Sequence, residues 1–441
     1  MGRYFGTDGV RGRFGVTLNG EMAYRIGRFI GGYGFDTPKK ILLSRDTRES
    51  GVILSEELIR GIVESGGTVY DLGVSTTPSV SYLVRAEEFD FGIMVSASHN
   101  PYFDNGIKVF ANTGEKLSAS IEDRIEDFMD LPVVPVGPNN GKGIDAADLK
   151  EKYIAWLLAK ASPKLKGLRV LADLANGSAT AIAPTLFARI GIEASYIGNE
   201  PDGRNINRDC GSTHIDGLRK AFVEGDYDLG FCFDGDADRF MAIGPDGRVI
   251  DGDAQIFLSA LSMREEGTLH ENKVVITVMS NFGLRKALGK EGIGFDIVSV
   301  GDKYVQARLK EGGLSLGGEQ SGHVIYLDEL NTGDGFLSAL HIGNLFVEKP
   351  ETFKKIAELR VYPQILENLR LEKKEDIARA MEEPSVRAAI DAASAKLGDD
   401  GRVLVRPSGT EPLIRVMAEA LEESECAAAV KSIVEAIKGV C

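Results

Sequence analysis

Residues 91–101, FGIMVSASHNP, join a strand-length apolar run to a short polar loop that closes on Asn-Pro. Such runs are typical of buried strands, and Asn-Pro is typical of a turn. The pattern predicts that Ser98 and His99 lie at the end of a sheet strand, where a hydroxyl group can meet a ligand. The following Asn105-Gly106 pair predicts a tight turn into a second strand, on which the Lys108 amine faces away from the core. An ordinary turn with a capping serine explains the same residues.

Composition restricts the class of protein. A chain of 441 residues is too long for one core, so several domains are expected. Hydrophobic residues make up 43% and charged residues 27%, as in soluble globular proteins. No apolar run approaches membrane-spanning length, and no signal peptide begins the chain. The four cysteines have no paired spacing. These features together predict a cytoplasmic protein with reduced thiols. The net charge of −15 argues against a nucleic acid or an anionic membrane as partner.

A strand–helix–strand pattern occurs three times, at residues 41–72, 169–197 and 273–298. Downstream of each unit, a further apolar strand leads into a polar loop. The three loops are SASHNP (96–101), DGDADR (234–239) and GEQSGH (318–323). Because open α/β sheets bind ligands at the carboxyl ends of their strands, we expect three related domains that each contribute one loop to a shared cleft.

The C-terminal region differs from these units. It reads as helical and charge-rich over 366–397, and then as two strands around the loop RPSGTEP (406–412), followed by a closing helix. Two arginines, Arg406 and Arg415, with the hydroxyls of Ser408 and Thr410 and the backbone of Gly409, suit a phosphate group. A proline-bounded turn with solvated arginines is the alternative.

The predicted fold class is therefore α/β, with three related mixed-sheet domains and a smaller C-terminal α+β domain around a central cleft. The expected domains are residues 1–149, 150–252, 253–362 and 363–441.

Three aspartates, Asp234, Asp236 and Asp238, alternate with small residues. In an extended segment this spacing places all three carboxylates on one side. Their mutual repulsion calls for a cation, and hard oxygen ligands suit magnesium or calcium. An EF-hand loop is excluded, because its sixth position would be glycine where this chain has Arg239. A solvated acidic turn is the alternative.

A metal on that loop gives Ser98 a specific role. The hydrolase interpretation needs a Gly-x-Ser-x-Gly turn, which is missing here, and His99 is too close along the chain to act as the base. A phosphorylated Ser98 would add an oxygen ligand to the metal and supply the group transferred. Lys108 and Arg239 would then offset the accumulated negative charge. No GxxxxGK[ST] loop is present, so a nucleoside triphosphate is not the expected phosphate donor.

The third loop carries groups that read hydroxyls. Glu319, Ser321 and His323 are flanked by glycines that permit close approach, which suits a sugar. His323 has either an acid–base or a structural role. Near the N-terminus, Arg11 lies in the glycine-rich segment YFGTDGVRG (4–12), which could reach a phosphate. The loop Cys210–His214 receives no role from its chemistry.

Taken in order, YFGTDGVRG, SASHNP, DGDADR, GEQSGH and RPSGTEP resemble the α-D-phosphohexomutase family along the whole chain. The resemblance implies four domains around one cleft, a phosphoserine at Ser98, and Mg²⁺ held by that group with Asp234, Asp236 and Asp238. It also implies that Glu319 and Ser321 read sugar hydroxyls. The groups implied around the phosphate that is not transferred are Arg406, Ser408, Gly409, Thr410 and Arg415, and those around the reacting group are Arg11, Lys108, Arg239 and His323.

Within the family, SASHNPYFDNGIK, GSTH and GEQSGH look most like the bacterial members that act on glucosamine phosphates. The resemblance then implies interconversion of glucosamine 6-phosphate and glucosamine 1-phosphate, on the route to UDP-N-acetylglucosamine, with a bisphosphorylated sugar as intermediate and activator. It further implies a homodimer. Two alternating orientations of the bisphosphate require a phosphate site far from the serine, and we expect the C-terminal domain to hinge to admit the ligand. Phosphomannomutase or phosphoglucomutase activity, a non-catalytic sugar-phosphate binding protein and a metal-dependent phosphatase are the alternatives.

Overall fold

The structure is a computed structural model that describes residues 2–6, 8–35, 37–135, 137–371, 374–407 and 413–440. The chain up to Met279 forms one compact unit with Ile293–Ile356, and Ser280–Gly292 forms a second with the chain from Ala357 onward. Among the described helices, none combines the length and apolar character that crossing a membrane requires.

The first unit contains three sheets, of which the first is built from residues near the N-terminus. Its strands are β1 (Val10–Arg13), β2 (Lys40–Arg45), β3 (Thr68–Val74), β4 (Phe91–Val95), β5 (Asp104–Ala111) and β6 (Lys142–Asp145). The accompanying helices are α1 (Gly20–Arg28), α2 (Glu49–Glu64), α3 (Thr77–Ala86) and α4 (Ala119–Met129). The strand order is β1-β5-β4-β2-β3-β6.

The second sheet follows α5 (Lys150–Leu158). Its strands are β7 (Arg169–Asp173), β8 (Glu193–Ile197), β9 (Leu229–Phe233), β10 (Phe240–Ile243) and β11 (Val249–Ile250), with helices α6 (Ala183–Ile190) and α7 (Ile215–Glu224) between them. The strand order is β11-β10-β9-β7-β8.

The third sheet follows α8 (Gly252–Glu266). Its strands are β12 (Lys273–Thr277), β13 (Gly294–Val298), β14 (Leu316–Gly318) and β15 (Val324–Tyr326). The remaining helices of this region are α9 (Phe282–Lys290), which belongs to the second unit, α10 (Asp302–Gly312), α11 (Gly335–Glu348) and α12 (Pro350–Lys354). The strand order is β13-β12-β14-β15.

The three sheets share one arrangement of their central strands. In each, the strand that leads into a predicted site loop (β4, β9 or β14) lies between a parallel neighbour (β2, β7 or β12) and an antiparallel one (β5, β10 or β15). The same order and the same directions recur three times, which confirms the predicted α/β fold with three related mixed sheets. The topology therefore places the three polar loops at equivalent positions, the carboxyl ends of equivalent strands.

The second unit holds a separate antiparallel sheet. Its elements are β16 (Gln364–Arg370), α13 (Lys374–Glu382), α14 (Pro384–Leu397), β17 (Gly401–Pro407), β18 (Leu413–Ala420) and α15 (Glu423–Lys438), with strand order β16-β18-β17. The predicted helix from residue 366 is wrong over β16, which pairs with β18 along its whole length. Ile365 and Leu369 pack on the core from positions four apart, a spacing that imitates a helical repeat.

Two further expectations about the first sheet are wrong. Asn105 and Gly106 do not form a turn but lie inside β5, paired with β1. A Cβ atom at Gly106 would lie 2.6 Å from the Ser96 carbonyl oxygen, so the glycine marks a close approach of two backbones. Arg11 likewise lies in strand β1 rather than in a loop. Lys108 follows on β5 and is buried, as described below.

Candidate active site

Ser98 lies at the carboxyl end of β4 in a left-handed conformation, with φ of 52°. Its side chain is 2% exposed, and its hydroxyl donates a hydrogen bond of 2.6 Å to Oδ2 of Asp234. Because Asp234 follows β9, this bond joins the loops of the first two sheets. The loop that follows β4 therefore contacts the acidic loop through Ser98.

The acidic loop is a turn and not the extended segment that the alternating aspartates suggested. β9 ends at Phe233, and Ala237 has a φ of 57°, so the chain folds back after Asp234. In a strand, Asp234 and Asp238 would lie about 13 Å apart, too far for both carboxylates to bind one ion. The turn instead brings one carboxylate oxygen from each of Asp234, Asp236 and Asp238 within 4.8 Å of the others.

Close approach of the Ser98 loop explains the glycine within this turn. A Cβ atom at Gly235 would lie 2.5 Å from the Ser98 carbonyl oxygen, so a larger residue would push the two loops apart.

The three buried carboxylates are suited to a divalent cation. Oδ1 of Asp236 is buried without a hydrogen-bond partner among the described residues, and Oδ1 of Asp238 lies 3.6 Å from His323 Nδ1, beyond hydrogen-bond length. Burial, with the nearby charges of Asp238 and Asp236, raises the pKa of Asp234 well above its ordinary value. All the donors, including the Ser98 hydroxyl, are hard oxygens, and opposite ligands of Mg²⁺ lie about 4.2 Å apart. The residues present therefore fit magnesium.

Lys108 supplies a buried positive charge beside the carboxylates. Its amine lies 2.7 Å from Asp236 Oδ2, 3.0 Å from Asp8 Oδ2 and 3.5 Å from Asp238 Oδ2. Burial lowers its pKa, but these carboxylates outweigh that effect and raise the pKa well above the ordinary lysine value. Lys108 is thus buried and charged, and it faces the acidic groups and not the apolar core.

Arg11 and Arg239 add two more cations. Arg11 pairs with Asp8, and the backbone N–H of Arg239 donates to Asp234 Oδ1 at 3.2 Å. The Nε atoms of both arginines are buried and have no hydrogen-bond partner among the residues that the structure describes. Buried donors without acceptors are unfavourable, so these guanidinium groups are suited to an incoming anion.

Six side chains form a closed ring of acidic and basic groups around the site, which we call the charge ring. Its members in order are Lys116, Asp8, Lys108, Asp238, His323 and Asp302. The joining distances run from 2.5 Å between Lys116 and Asp302 to 3.8 Å between His323 and Asp302. Three members come from the first sheet and its loops, one follows the second sheet, and the other two belong to the third repeat. The ring therefore links all three repeats.

The two histidines of the site differ in charge. Burial and the positive charges of Arg239 and Arg11 lower the pKa of His99 to about 4, so its ring is neutral at pH 7. Its Nδ1 lies 3.3 Å from the Ser98 hydroxyl. The hydroxyl proton is nevertheless directed to Asp234, which leaves His99 as a neighbour of the serine oxygen and not as its base.

His323 is buried between Asp238 and Asp302. Burial lowers its pKa, but Asp238 and then Asp302 raise it to about 9. The N–H of Gly333, 3.1 Å from Nε2, instead requires a lone pair on that nitrogen. The hydrogen bond from Gly333 therefore favours the neutral ring with its proton on Nδ1, which faces Asp238.

The third loop lines an open cavity of about 550 Å³. Arg239, Glu319 and Ser321 are among its walls, as are Asp251 and Thr277. The Glu319 carboxylate accepts the Gly301 N–H at 2.9 Å through one oxygen, and the Ser321 hydroxyl is buried without a hydrogen-bond partner among the described residues. A space of this size with hydroxyl-binding groups suits a sugar next to the reacting centre.

In the second unit, Arg406 on β17 lies directly opposite Arg415 on β18. Burial, with the positive charge of Arg415, lowers the pKa of Arg406. The Nε of Arg415 is buried and has no hydrogen-bond partner among the residues described for this unit. Two positive side chains that lie opposite each other favour an anion between them. The predicted loop residues Ser408, Gly409 and Thr410 lie outside the described residues.

Several site residues were not predicted from the sequence. Asp8 and Lys116 complete the charge ring, and the hydroxyl of Thr77 donates to Asp236 Oδ2 at 2.6 Å. Asp8 stands three residues before Arg11, which is a usable signal, whereas Lys116 and Thr77 belong to no recognisable motif. The Cys210–His214 loop now has a structural explanation, because Asp173 at the end of β7 accepts the Gly211 N–H at 2.7 Å.

Family models match four consecutive segments of the chain. The phosphoglucomutase/phosphomannomutase alpha/beta/alpha domains I, II and III match residues 2–131, 151–247 and 251–362. The C-terminal domain of the same family matches residues 366–436.

Curated relatives match over nearly the whole chain. The phosphoglucosamine mutase of Lachnoclostridium phytofermentans is 48% identical over 97% of this chain and 96% of its own. That of Bacillus cereus (strain B4264) is 44% identical over 99% of both chains.

Solved structures share the fold at lower identity. A phosphoglucomutase/phosphomannomutase family protein from Burkholderia thailandensis has a TM-score of 0.81 at 23% identity and covers 98% of this chain and 97% of its own. The N-acetylphosphoglucosamine mutase of Aspergillus fumigatus, solved with GlcNAc-6P and magnesium, has a TM-score of 0.71 at 18% identity and covers 99% and 96%. From its four domain matches and its full-length relatives, the chain belongs to the phosphoglucomutase/phosphomannomutase family.

Proposed function

We propose that this chain is a phosphoglucosamine mutase, which interconverts glucosamine 6-phosphate and glucosamine 1-phosphate through a phosphoserine at Ser98. The main support is the position of the Ser98 hydroxyl, which lies 2.6 Å from Asp234. It is surrounded by a buried group of three carboxylates and a buried lysine. Full-length relatives at 43–48% identity bear this name, which supports glucosamine phosphates as substrates over other hexose phosphates.

In the first half of the reaction, the bond between Ser98 Oγ and phosphorus breaks while the sugar O1 oxygen forms a new bond to phosphorus. The proton of the sugar hydroxyl is transferred in net to Ser98 Oγ, and the product is a sugar 1,6-bisphosphate. In the second half, Ser98 Oγ takes the phosphoryl group from O6, and the proton returns to the sugar as glucosamine 1-phosphate. Phosphoryl transfer of this kind depends on position and charge more than on covalent chemistry.

We assign the surrounding side chains to two tasks, positioning the reacting groups and stabilising their charge. Lys108, Arg11 and Arg239 stabilise the phosphoryl oxygens, and His323 borders the reacting group from the third sheet. Glu319 and Ser321 bind sugar hydroxyls in the adjoining cavity and so fix the acceptor oxygen. Ser98, Asp234, Asp236 and Asp238 would hold Mg²⁺, which would supply compensation for the negative charge on the phosphoryl group.

The phosphate that is not transferred needs its own site, because the intermediate must bind in two orientations. We assign it to Arg406 and Arg415, two positive side chains that lie opposite each other and together favour an anion, with Ser408, Gly409 and Thr410, which stand between them in the sequence. The proposal includes domains at 1–149, 150–252, 253–362 and 363–441, and a bisphosphorylated sugar as activator. It also includes a homodimer located in the cytoplasm, whose product enters the route to UDP-N-acetylglucosamine.

A coupled assay with glucosamine 6-phosphate, Mg²⁺ and a trace of sugar bisphosphate tests the proposal. Wild type should turn over and carry one phosphate on Ser98 by mass spectrometry, whereas Ser98→Ala should carry none and be inactive. Because Ser98→Ala removes a single oxygen atom, unchanged binding of the sugar phosphate serves as the control for folding.

Three outcomes would overturn it. A higher kcat/KM for glucose or mannose phosphates would make the chain a phosphoglucomutase or phosphomannomutase. Net release of inorganic phosphate would make it a phosphatase. An unphosphorylated Ser98 with no turnover after priming with bisphosphate would leave a sugar-phosphate binding protein.

A further inference from the structure

One buried arginine, Arg48, holds the backbone of the Ser98 loop. It precedes α2 and is fully buried. Its Nη2 donates to the carbonyl oxygens of Ser98 at 2.8 Å and Asn100 at 2.9 Å. Its Nη1 donates to the carbonyl oxygens of Pro101 and, at 3.0 Å, of Asp104. A single guanidinium group therefore satisfies three carbonyl groups of the loop that carries the serine and one at the start of β5.

Asp46 completes this arrangement from the other side. It accepts the Arg48 Nε–H at 2.8 Å and the Ser96 hydroxyl at 2.7 Å, and is itself fully buried. Ser96 Oγ in turn accepts the Ser98 N–H at 2.9 Å. Both backbone groups of Ser98 are thus tied to one buried ion pair, the carbonyl directly and the N–H through Ser96.

The backbone of Ser98 needs such support. A serine at φ of 52° is in a region that residues with a Cβ seldom adopt, and it persists only where the surroundings impose it. The conformation aims Oγ at Asp234, so a relaxed backbone would move the oxygen that forms and breaks the phosphate ester. Arg48 stands at the start of a 16-residue helix, which gives its side chain a rigid attachment. It is therefore suited to hold the Ser98 backbone in this conformation.

We propose that Arg48, held by Asp46, is a positioning residue that fixes the Ser98 loop for phosphoryl transfer. This inference rests on the proposed function, because it gives Arg48 a role in the same reaction. Lysine cannot replace arginine here, since an ammonium group lacks the planar fork that binds several carbonyl groups at once.

The test compares Arg48→Lys with Arg28→Lys. Arg28 is also buried, and it donates to the Pro135 carbonyl, away from the Ser98 loop. Hydrogen exchange of peptides covering 96–104 is measured without sugar, and kcat and KM are measured with saturating bisphosphate. We expect Arg48→Lys to raise exchange in this loop at least tenfold and to lower kcat about 100-fold, since displacement of a reacting group by about 1 Å has that effect. KM should change by less than about threefold, because the sugar-binding groups are elsewhere.

Arg28→Lys should leave both the exchange of 96–104 and kcat close to wild type. An equal loss of kcat in both variants, or unchanged loop exchange in Arg48→Lys, would overturn the inference. If Arg48→Lys fails to fold, Asp46→Asn takes its place with the same expectations. Exchange needs no turnover, so a wild type inactive on glucosamine 6-phosphate would refute the proposed function and leave the exchange result to decide on Arg48.

Discussion

The substitution Arg415→Met separates a binding role from a structural role in the C-terminal unit. Arg415 faces Arg406 across β17 and β18, and its Nε is buried without a hydrogen-bond partner among the described residues of that unit. If these arginines hold a phosphate, the substitution should weaken substrate binding while leaving the sheet at least as stable as before.

The magnitudes follow from the two kinds of interaction. A hydrogen bond to a charged group contributes about 1.5–3 kcal/mol, so loss of Arg415 should raise the Kd for glucosamine 6-phosphate about 10- to 150-fold. Like charges directly opposite each other on a sheet cost up to about 1 kcal/mol, so the same substitution should leave stability unchanged or raise it by that amount.

Arg402 provides a matched control on the neighbouring strand β17. It pairs with Glu419, whose side chain is fully buried, and donates to the Ser280 carbonyl at 2.8 Å. Arg402→Met would remove the ion-pair partner of a buried carboxylate, which should cost about 3–5 kcal/mol. Arg402→Met should leave the Kd for glucosamine 6-phosphate unchanged, apart from any effect of its lower stability.

The assay measures both quantities on the same proteins. Calorimetric titration with glucosamine 6-phosphate, in a Ser98→Ala background that prevents turnover, gives the Kd. Hydrogen exchange of the slowest amides of β17 and β18 gives the opening free energy of the sheet. A Kd within about threefold of the parent for Arg415→Met, or a loss of stability like that of Arg402→Met, would refute the assignment of the phosphate site.

Three further outcomes are expected. Lys108→Met removes the cation nearest the buried carboxylates and should destabilise the metal-free protein by about 3–5 kcal/mol, and Mg²⁺ at 100 times its Kd for the variant should restore about 2.7 kcal/mol in thermal melts; no rise in the stability of the variant on adding Mg²⁺ would contradict this. Because the pKa of His99 falls to about 4 on folding from an ordinary 6.5, its contribution to stability is present above pH 6.5 and is lost as the pH falls toward 4; wild type should therefore lose stability more steeply than His99→Gln over that range, and parallel melting curves would count against it. EDTA should abolish activity and Mg²⁺ restore it, while Mg²⁺ should raise the melting temperature of Asp236→Asn less than that of wild type; full activity in EDTA would exclude the metal site.

The repeat could be predicted from the sequence because its signals are local. Each of the three loops follows a short apolar strand, and each strand takes an equivalent place in its sheet. The same signals identify Ser98 and the acidic loop, which lie in contact although 136 positions separate Ser98 from Asp234.

What the sequence could not indicate depends on geometry between distant segments. Arg48 lies in the polar stretch SRDTRESG, which resembles a surface loop, yet the folded chain buries it completely. The alternating aspartates of the turn at 234–238 predict an extended segment, and its left-handed residue is an alanine, which carries no turn signal. β16 has the pattern of a helix, because an edge strand with two apolar contacts four residues apart shows the same spacing.

The charge ring has a consequence for how this protein can vary. Its six members come from chain segments as far apart as Asp8 and His323, and each acidic member adjoins a basic or imidazole neighbour. A chimera that imported a segment with a different side chain at position 238 would remove one acidic neighbour from Lys108 on the first sheet and one from His323 on the third repeat. We therefore expect a replacement at one position of the ring to be better tolerated when the neighbouring positions change with it.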